Sequence, residues 1–131
     1  DIDSFKAYND HFGHQAGDTC LSAVAQALAA KLKRPADVAA RYGGEEFAAI
    51  LPDTDAAQAR QLAENIRAYV ASLNLPHAPG AARPYVTLSI GVASLDKGRL
   101  DDAAALIEAA DKALYAAKRG GRDRVVADGD A

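Results

Sequence analysis

Residues 41–47 read RYGGEEF and lie between two apolar runs, residues 38–40 and 47–51. Two apolar runs joined by a glycine pair predict a β-hairpin, because glycine adopts the positive φ angles that tight turns between twisted strands require. Glu45 and Glu46 place two carboxylates at its tip, where their repulsion costs free energy unless a cation lies nearby. The segment alone fits a metal or phosphate site and a solvated turn equally well.

The composition is typical of one domain, over residues 1–131, with an alanine-rich core. This length suffices for a single core without disulfides or a structural metal. Half of the residues are apolar, but 32 are Ala and only 8 are aromatic, so most of the packing depends on Leu, Ile, Val, Phe and Tyr. The formal charge of −3 gives no general attraction to nucleic acid or to an anionic membrane. Any polyphosphate site must therefore be local.

The sequence carries no signal for export or membrane insertion. Its single cysteine, Cys20, cannot form an internal disulfide, and no apolar run approaches the about 20 residues of a membrane span. These features predict a cytoplasmic location without direct membrane contact from this segment. The sequence opens at Asp1 without an initiator Met, which predicts that it is a fragment of a longer protein that could carry an anchor elsewhere.

Apolar periodicity predicts helices interleaved with strands and a hairpin. This order, without strict βαβ repetition, favours an α+β two-layer sandwich with one sheet and helices packed against it. Asp18 or Thr19 is placed to cap the first helix. Pro52-Asp53-Thr54-Asp55 supplies a turn and a cap for the second, and Asp101-Asp102 opens the third. The predicted helices span residues 17–33, about 55–73 and 101–119, and the predicted strands span residues 38–42, 47–51, 86–92 and 124–126.

The same patterns predict which faces are buried. Leu73 belongs to the inner face of the second helix, and Leu106 and Ile107 to that of the third. The alternation of apolar with small residues over 86–92 predicts a strand inside the sheet with one buried face and small residues outward. Residues 128–131 are predicted to be a frayed tail.

Asp1-Ile2-Asp3 places two acids around an apolar residue. In an extended strand this spacing directs both carboxylates to one face. Mg²⁺ usually takes only one or two protein carboxylates, with water and substrate phosphates as its other ligands, so Asp1 with Glu45 would satisfy it. The alternative is that Asp1 and Asp3 are solvated acids at a frayed end.

Three segments occur together in this chain: DIDSFKAYNDHFGHQAGD at residues 1–18, RYGGEEF at 41–47 and SIGV at 89–92. In this order they resemble the GGDEF family of diguanylate cyclases, and the match extends to about residue 126. The resemblance implies a fold like the palm of nucleotidyl cyclases and polymerases, with a central, mostly antiparallel sheet. It also implies that an N-terminal helix and most of the first strand are missing from this segment.

The resemblance implies an enzyme that joins two GTP into cyclic di-GMP and releases two pyrophosphates. Each domain would supply one half-site, so a homodimer is implied for turnover. A pair of divalent ions, Mg²⁺ or Mn²⁺, in each half-site would activate the attacking 3′-hydroxyl and offset charge on the α-phosphate. No nucleic acid partner is implied.

The family's functional residues match particular positions of this chain. Three of these positions have a purely structural alternative. Lys118 and Arg122 close a helix, where cations stabilise the helix dipole without any ligand, and Asp18 suits a helix cap. The matched metal-binding positions are Asp1, Ile2 through its carbonyl, Glu45 and Glu46. The matched catalytic positions are Glu45, Glu46 and the triphosphate cations Lys118 and Arg122. The matched substrate positions are Asn9 and Asp18 for guanine, the amides of Ser4, Phe5 and Lys6 for phosphate, and the turn residues Gly43 and Gly44.

Arg34-Pro35-Ala36-Asp37 matches the R-x-x-D of the family's inhibitory product site. Arg34 suits this role because its planar fork meets phosphate and the guanine edge through paired hydrogen bonds. The family often adds a second Arg on the following helix, where this chain has Asn65, with Arg67 nearby. Product inhibition is therefore predicted to be weaker than usual.

Two alternatives to an active cyclase stay open. One is a silent GGDEF domain that acts as a receptor for cyclic di-GMP or GTP, and the other is an interaction domain that uses the scaffold without nucleotide. The intact acids and cations favour the enzyme. His11, His14 and His77 form no metal-ligand pattern and, with Cys20, are predicted to be structural or surface residues.

Overall fold

The computed structural model of the chain describes residues 1–95 and 102–130, in which helices pack against short strands. The predicted α+β class is confirmed. In chain order the elements are α1 (Phe5–Phe12), α2 (His14–Lys31), β1 (Val38–Gly43), β2 (Glu46–Ile50), α3 (Ala56–Ser72), β3 (Ser89–Val92), α4 (Ala103–Arg119) and β4 (Arg124–Ala127).

The strands form two pairs within the described residues. β1 and β2 are the predicted hairpin, with Val38 opposite Ile50 in an antiparallel register, and β3 and β4 pair in parallel. An antiparallel bridge joins Ile2 to Leu88, and the Ile2 N–H donates to the Glu45 carbonyl over 3.4 Å. The first three residues therefore lie between the hairpin and the β3 segment, which comprises residues 86–92.

The first helical region differs from its prediction. The structure has α1 and α2 instead of one helix over residues 17–33, and α2 begins at His14. Gly13 separates them with a φ of 91°, a conformation that glycine adopts without a Cβ clash. Asp18 and Thr19 therefore lie inside α2, and the prediction that either caps it is wrong.

The predicted caps of the later helices are confirmed. Asp55 accepts the Gln58 N–H over 2.8 Å, and the Gln58 side chain accepts the Asp55 N–H in return. Asp102 accepts the Ala105 N–H over 2.8 Å at the start of α4. A side-chain cap of this kind typically stabilises a helix by about 1 kcal/mol. Asp101, the other predicted opening residue of α4, lies outside the described residues.

The core lies where α1, α2 and α3 meet the β3 segment. Burial raises the pKa of the Cys20 thiol to about 11, so this side chain is a protonated packing residue and not a nucleophile. The buried residues of the main apolar cluster are Ile2, Phe5, Cys20, Leu21, Val24, Ala27, Leu28, Ile66, Val70, Val86 and Leu88.

Two predicted inner faces are wrong in part. Ile107 is 46% exposed, and Leu73, at the end of α3, is also exposed. Leu106 and Leu114 line an apolar cleft of about 730 Å³ between α4, β3 and the hairpin. The buried face of α4 is rotated relative to the predicted inner face, because small residues allow the helix backbone to approach the strands closely. The buried residues of α4 are Ala109, Ala113 and Ala117.

The small residues before and within β3 do not face outward as predicted. Thr87 and Ser89 are fully buried, and both hydroxyls donate to the carboxylate of Asp3. The segment is thus buried on both faces, because a polar partner for its small side chains lies inside the protein. The predicted frayed tail is also wrong over residues 128–130, where the Asp128 N–H donates to Val92 over 2.7 Å.

Gly91 of β3 lies directly against the backbone of α4. A Cβ built there would lie 2.2 Å from the Ala110 carbonyl oxygen and 2.4 Å from the Leu114 nitrogen. We expect Gly91→Ala to lower the free energy of unfolding by about 2–3 kcal/mol, since overpacking against helix backbone forces whole elements apart. Urea denaturation measures this loss. Gly43→Ala is the control, because a Cβ there meets nothing within 4 Å, and equal losses in both variants would contradict the close packing.

Candidate active site

The glycine pair turns the chain between β1 and β2. Gly43 ends β1, Gly44 has a φ of 52°, and Glu46 begins β2. The Arg41 Nε donates to the Gly44 carbonyl over 2.8 Å and closes the turn. Glu45 and Glu46 are half-buried, and neither carboxylate forms an ion pair with a residue in ranges 1–95 or 102–130. The turn thus presents two acids that lack a close ion-pair partner among the described residues, although the Asp1 ammonium, whose pKa burial lowers, is near enough for their charge to oppose that shift.

Asp1 lies beside this turn. The contact between Ile2 and Glu45 holds the first residues of the chain against the hairpin. The carboxylate of Asp1 is only 3% exposed and forms an ion pair with the ammonium of Lys118. Its Oδ1 is buried and has no hydrogen-bond partner in the described part of the chain. Asp1 is therefore not the solvated terminal acid of the alternative interpretation.

The donor set fits a hard divalent cation that takes few protein ligands. Among the described residues, no group of three or more His, Cys, Asp or Glu side chains could hold a metal ion. Mg²⁺ and Mn²⁺ do not need such a group when water and phosphates complete their shell. Burial of the unpartnered Oδ1 of Asp1 costs free energy that a bound cation would offset. The backbone hydrogen bond from Ile2 to Glu45 brings Glu45 beside Asp1.

The two predicted cations lie at the end of α4. Lys118 is in its last turn, and its ammonium reaches across to Asp1 instead of remaining at the helix terminus. Arg122 follows in a turn, with a φ of 65°, and its N–H donates to the Ala117 carbonyl over 3.0 Å. The structure therefore joins Lys118 to the acidic site, while Arg122 is exposed one turn further along the chain.

The predicted phosphate-binding amides lie at the N-terminus of α1. Ser4 is the N-cap, in a left-handed conformation with a φ of 56° and without a side-chain cap. Tyr8 makes the first intrahelical bond, to the Ser4 carbonyl, so the amides of Phe5 and Lys6 precede it without an intrahelical partner. Free amides at a helix start suit phosphate oxygens.

The predicted guanine-reading residues lie on neighbouring helices. Asn9 of α1 packs onto Gly17 of α2, where a built Cβ would be 1.8 Å from the Asn9 Oδ1. That oxygen is buried and unpartnered within the described residues. Asp18 follows Gly17 directly and is exposed. The sequence analysis did not single out Gly17, although only glycine leaves room for the Asn9 amide.

Arg34 and Asp37 form a hydrogen-bonded pair, with the Arg34 Nη2 2.9 Å from Asp37. The same nitrogen donates to the Pro52 carbonyl over 2.5 Å and to the Thr54 hydroxyl. The hydrogen bond to Asp37 raises the pKa of Arg34. Within ranges 1–95 and 102–130, Nη1 makes only a 3.5 Å contact with the Asp53 carbonyl, so it is the nitrogen left for a ligand.

Arg67 is not available to this pair. Its guanidinium bonds to Glu64 over 2.5 Å and to Asp123 over 2.7 Å, and these bonds raise its pKa. The hydrogen bond from Arg67 also lowers the pKa of Glu64. Asn65, the position that often carries a second Arg in the family, is exposed and accepts from Gln61 over 3.0 Å.

His77 is the histidine that the core encloses. Its Nδ1 accepts the Ala78 N–H over 2.7 Å, so its Nε2 carries the hydrogen and donates to the Asp3 carbonyl over 2.8 Å. His11 and His14 are exposed. The described geometry thus gives these three residues structural or surface positions.

An acidic hairpin turn, a buried aspartate paired with a lysine, and helix-start amides without an intrahelical partner occur on this α+β domain, and their chemistry suits phosphate and a cation. The chain belongs to the GGDEF family, since the family model described as "Diguanylate cyclase, GGDEF domain" matches residues 1–124. No helix in the described ranges combines the length and apolar character needed to cross a membrane.

Similar proteins include both curated relatives and solved structures. The chain is 46% identical over 126 residues to the response regulator PleD of Caulobacter vibrioides, an alignment that covers 96% of this chain and 27% of PleD. The GGDEF domain of DgcB from Caulobacter crescentus, in complex with c-di-GMP, has a TM-score of 0.86 at 41% identity, over 98% of this chain and 74% of that one. The active GGEEF domain of a diguanylate cyclase from Vibrio cholerae has a TM-score of 0.82 at 36% identity, over 97% and 79%.

Proposed function

We propose that this domain is the catalytic half-site of a diguanylate cyclase, which condenses two GTP into cyclic di-GMP. One observation carries the proposal: Asp1 is buried against Lys118 and is held beside the Glu45 turn by the Ile2–Glu45 contact. This arrangement places an acid, a cation and the signature turn together. The chain also has the Gly-Gly-Glu-Glu-Phe signature at residues 43–47, and the Vibrio cholerae domain with a GGEEF motif is described as active.

Asp1, the Ile2 carbonyl, Glu45 and Glu46 would hold two Mg²⁺ or Mn²⁺ ions in each half-site. When bound, these ions supply activation of a 3′-hydroxyl and neutralisation of charge on the α-phosphate. Lys118 and Arg122 would bind the triphosphate, and the backbone N–H groups at the start of α1 would donate hydrogen bonds to its oxygens. With the ions and GTP bound, the acids and the cations would then compensate one another's charge at one site.

Asn9 and Asp18 would recognise guanine. A carboxylate accepts from the ring N–H and the exocyclic amine of guanine, a donor pair that adenine lacks. Gly17 leaves room for the Asn9 amide between the two helices, next to Asp18. The domain should therefore prefer GTP to ATP.

Turnover would require two copies of the domain. Each 3′-hydroxyl oxygen bonds to the α-phosphorus of the other GTP, each hydroxyl loses its proton, and each α-phosphate loses pyrophosphate. The two reactions are related by symmetry, and this chain carries one set of the site residues. Two facing half-sites, each with one GTP, would complete the reaction.

The identity of the product tests the proposed reaction. We expect the domain, incubated with GTP and MgCl₂, to form cyclic di-GMP and pyrophosphate in a ratio of one to two, as resolved by chromatography and mass spectrometry. ATP should give no cyclic dinucleotide. Saturable binding of cyclic di-GMP without any turnover of GTP would replace this proposal with a receptor function.

Arg34 and Asp37 would bind cyclic di-GMP as an inhibitor. We expect Arg34→Ala to raise the product concentration for half-inhibition about 10-fold, the effect of losing one charge-assisted hydrogen bond, while the KM for GTP stays unchanged. Steady-state rates with added cyclic di-GMP measure this. Arg60→Ala on α3 is the control, since its ion pair with Asp130 lies elsewhere. Equal inhibition of wild type and Arg34→Ala would contradict this site.

A further inference from the structure

The carboxylate of Asp3 is a buried junction between three segments of the chain. It is 4% exposed. Its Oδ1 accepts the Ser89 hydroxyl over 2.5 Å, and its Oδ2 accepts the Thr87 hydroxyl over 2.7 Å. Oδ2 also accepts the backbone N–H of Asp123 over 2.9 Å. Asp3 therefore joins the start of the chain to the β3 segment and to the turn after α4.

That turn has an unusual backbone. Gly121, Arg122 and Asp123 have φ angles of 121°, 65° and 48°. Successive left-handed conformations at residues other than glycine cost free energy and persist only where surrounding contacts fix them. Without the bond to Asp3, the Asp123 N–H would lose its buried acceptor, and the turn would lose one of these contacts.

A second contact fixes the same turn from the other side. The carboxylate of Asp123 accepts from Arg67 over 2.7 Å, and Arg83 lies 3.7 Å from its other oxygen. Arg67 is only 20% exposed and is itself held by Glu64 over 2.5 Å. The backbone of Asp123 is thus bound to Asp3, and its side chain is bound to α3 through Arg67.

The turn held in this way carries Arg122 and begins three residues after Lys118. We propose that Asp3 is a positioning residue: its carboxylate, together with the Arg67–Asp123 ion pair, fixes the turn of residues 121–123 and so keeps Lys118 and Arg122 at the triphosphate site. This inference rests on the proposed function, because it concerns the binding of GTP. Asp1 and Asp3 then have different roles, one toward the cation site and one toward the turn.

A measurement without nucleotide tests the hydrogen bond from the Asp123 N–H to the Asp3 carboxylate directly. We expect the amide of Asp123 to exchange hydrogen at least about 10-fold faster in Asp3→Asn than in wild type, because its buried acceptor is weakened. The amide of Tyr8, bonded to Ser4 in α1, should exchange at the same rate in both proteins. Nuclear magnetic resonance of the chain without nucleotide resolves the two amides. Unchanged exchange at Asp123 would overturn the inference.

GTP kinetics test the consequence for the site. We expect Asp3→Asn to raise the KM for GTP about 10-fold and to change kcat less than about 3-fold, because the cations bind the triphosphate equally in ground and transition states. A merely structural role would lower the active fraction, so it would lower kcat and leave KM unchanged. That result would overturn the inference.

Arg67→Gln provides a second variant at a less buried position. It should also raise the KM for GTP. The fold increase in KM in the double variant should be smaller than the product of the two single fold increases, because both substitutions act on one turn. Asp55→Asn is the control, since Asn caps a helix as well as Asp and removes the same charge. If Asp3→Asn does not fold, Arg67→Gln decides the question through the same exchange and kinetic measurements. No turnover by wild type would reject the proposed function, while the exchange rates would still decide whether Asp3 fixes the turn of residues 121–123.

Discussion

Glu45→Gln is expected to reduce cyclic di-GMP formation by at least about 1000-fold. Glutamine keeps the size of the side chain and the backbone carbonyl that accepts from Ile2, so the hairpin should fold as in wild type. It removes the carboxylate that would bind a divalent ion beside Asp1. Loss of a metal-held charge worth several kcal/mol in the transition state gives a rate loss of this size. Product formation at saturating GTP measures it.

The control for this variant is Glu108→Gln. Glu108 lies on the exposed side of α4 in an ion pair with Lys112, and exposed pairs contribute little to stability or activity. We expect its rate to stay within about twofold of wild type. Retention of a tenth or more of the wild-type rate in Glu45→Gln would show that the signature turn does not bind the catalytic cation.

Lys118→Met is expected to have the second largest effect. The ammonium of Lys118 is paired with a carboxylate that is 3% exposed, so its loss would leave Asp1 buried and uncompensated. We expect kcat/KM for GTP to fall about 100-fold, about 2.7 kcal/mol, because a triphosphate cation and the partner of Asp1 are lost together. Steady-state kinetics measure the fall.

Thermal unfolding gives an independent test at the same position. Mg²⁺ should raise the Tm of Lys118→Met more than that of wild type, because the ion would take the place of the ammonium beside Asp1. Lys112→Met is the control, since Lys112 lies on the same helix in an exposed pair with Glu108. An equal response to Mg²⁺ in wild type and Lys118→Met would contradict cation binding at Asp1.

The hairpin and the helix caps could be predicted because their signals are local. A glycine pair between apolar runs and an aspartate three residues before Gln58 require no distant partner. The family motifs likewise predict the candidate site residues from short runs of sequence. The structure then added the contacts between Asp1, Lys118 and the Glu45 turn, which join residues far apart in the chain.

Other features depend on partners that the sequence does not place. The rotated face of α4 follows from the close approach of its backbone to Gly91, which alanine periodicity does not reveal. The buried positions of Thr87 and Ser89 depend on the carboxylate of Asp3, and the position of Arg67 depends on Asp123. In each case a long-range polar or backbone contact determined the outcome where local propensity was uninformative.

The rate of cyclic di-GMP formation as a function of domain concentration tests the central claim most directly. If two half-sites must meet, the rate per domain at saturating GTP and Mg²⁺ should rise in proportion to concentration while most of the protein is monomeric, and Glu45→Gln should stay inactive throughout. A rate per domain that does not change with concentration would contradict the two-copy site. The absence of product at the highest concentration would contradict the assignment as a cyclase.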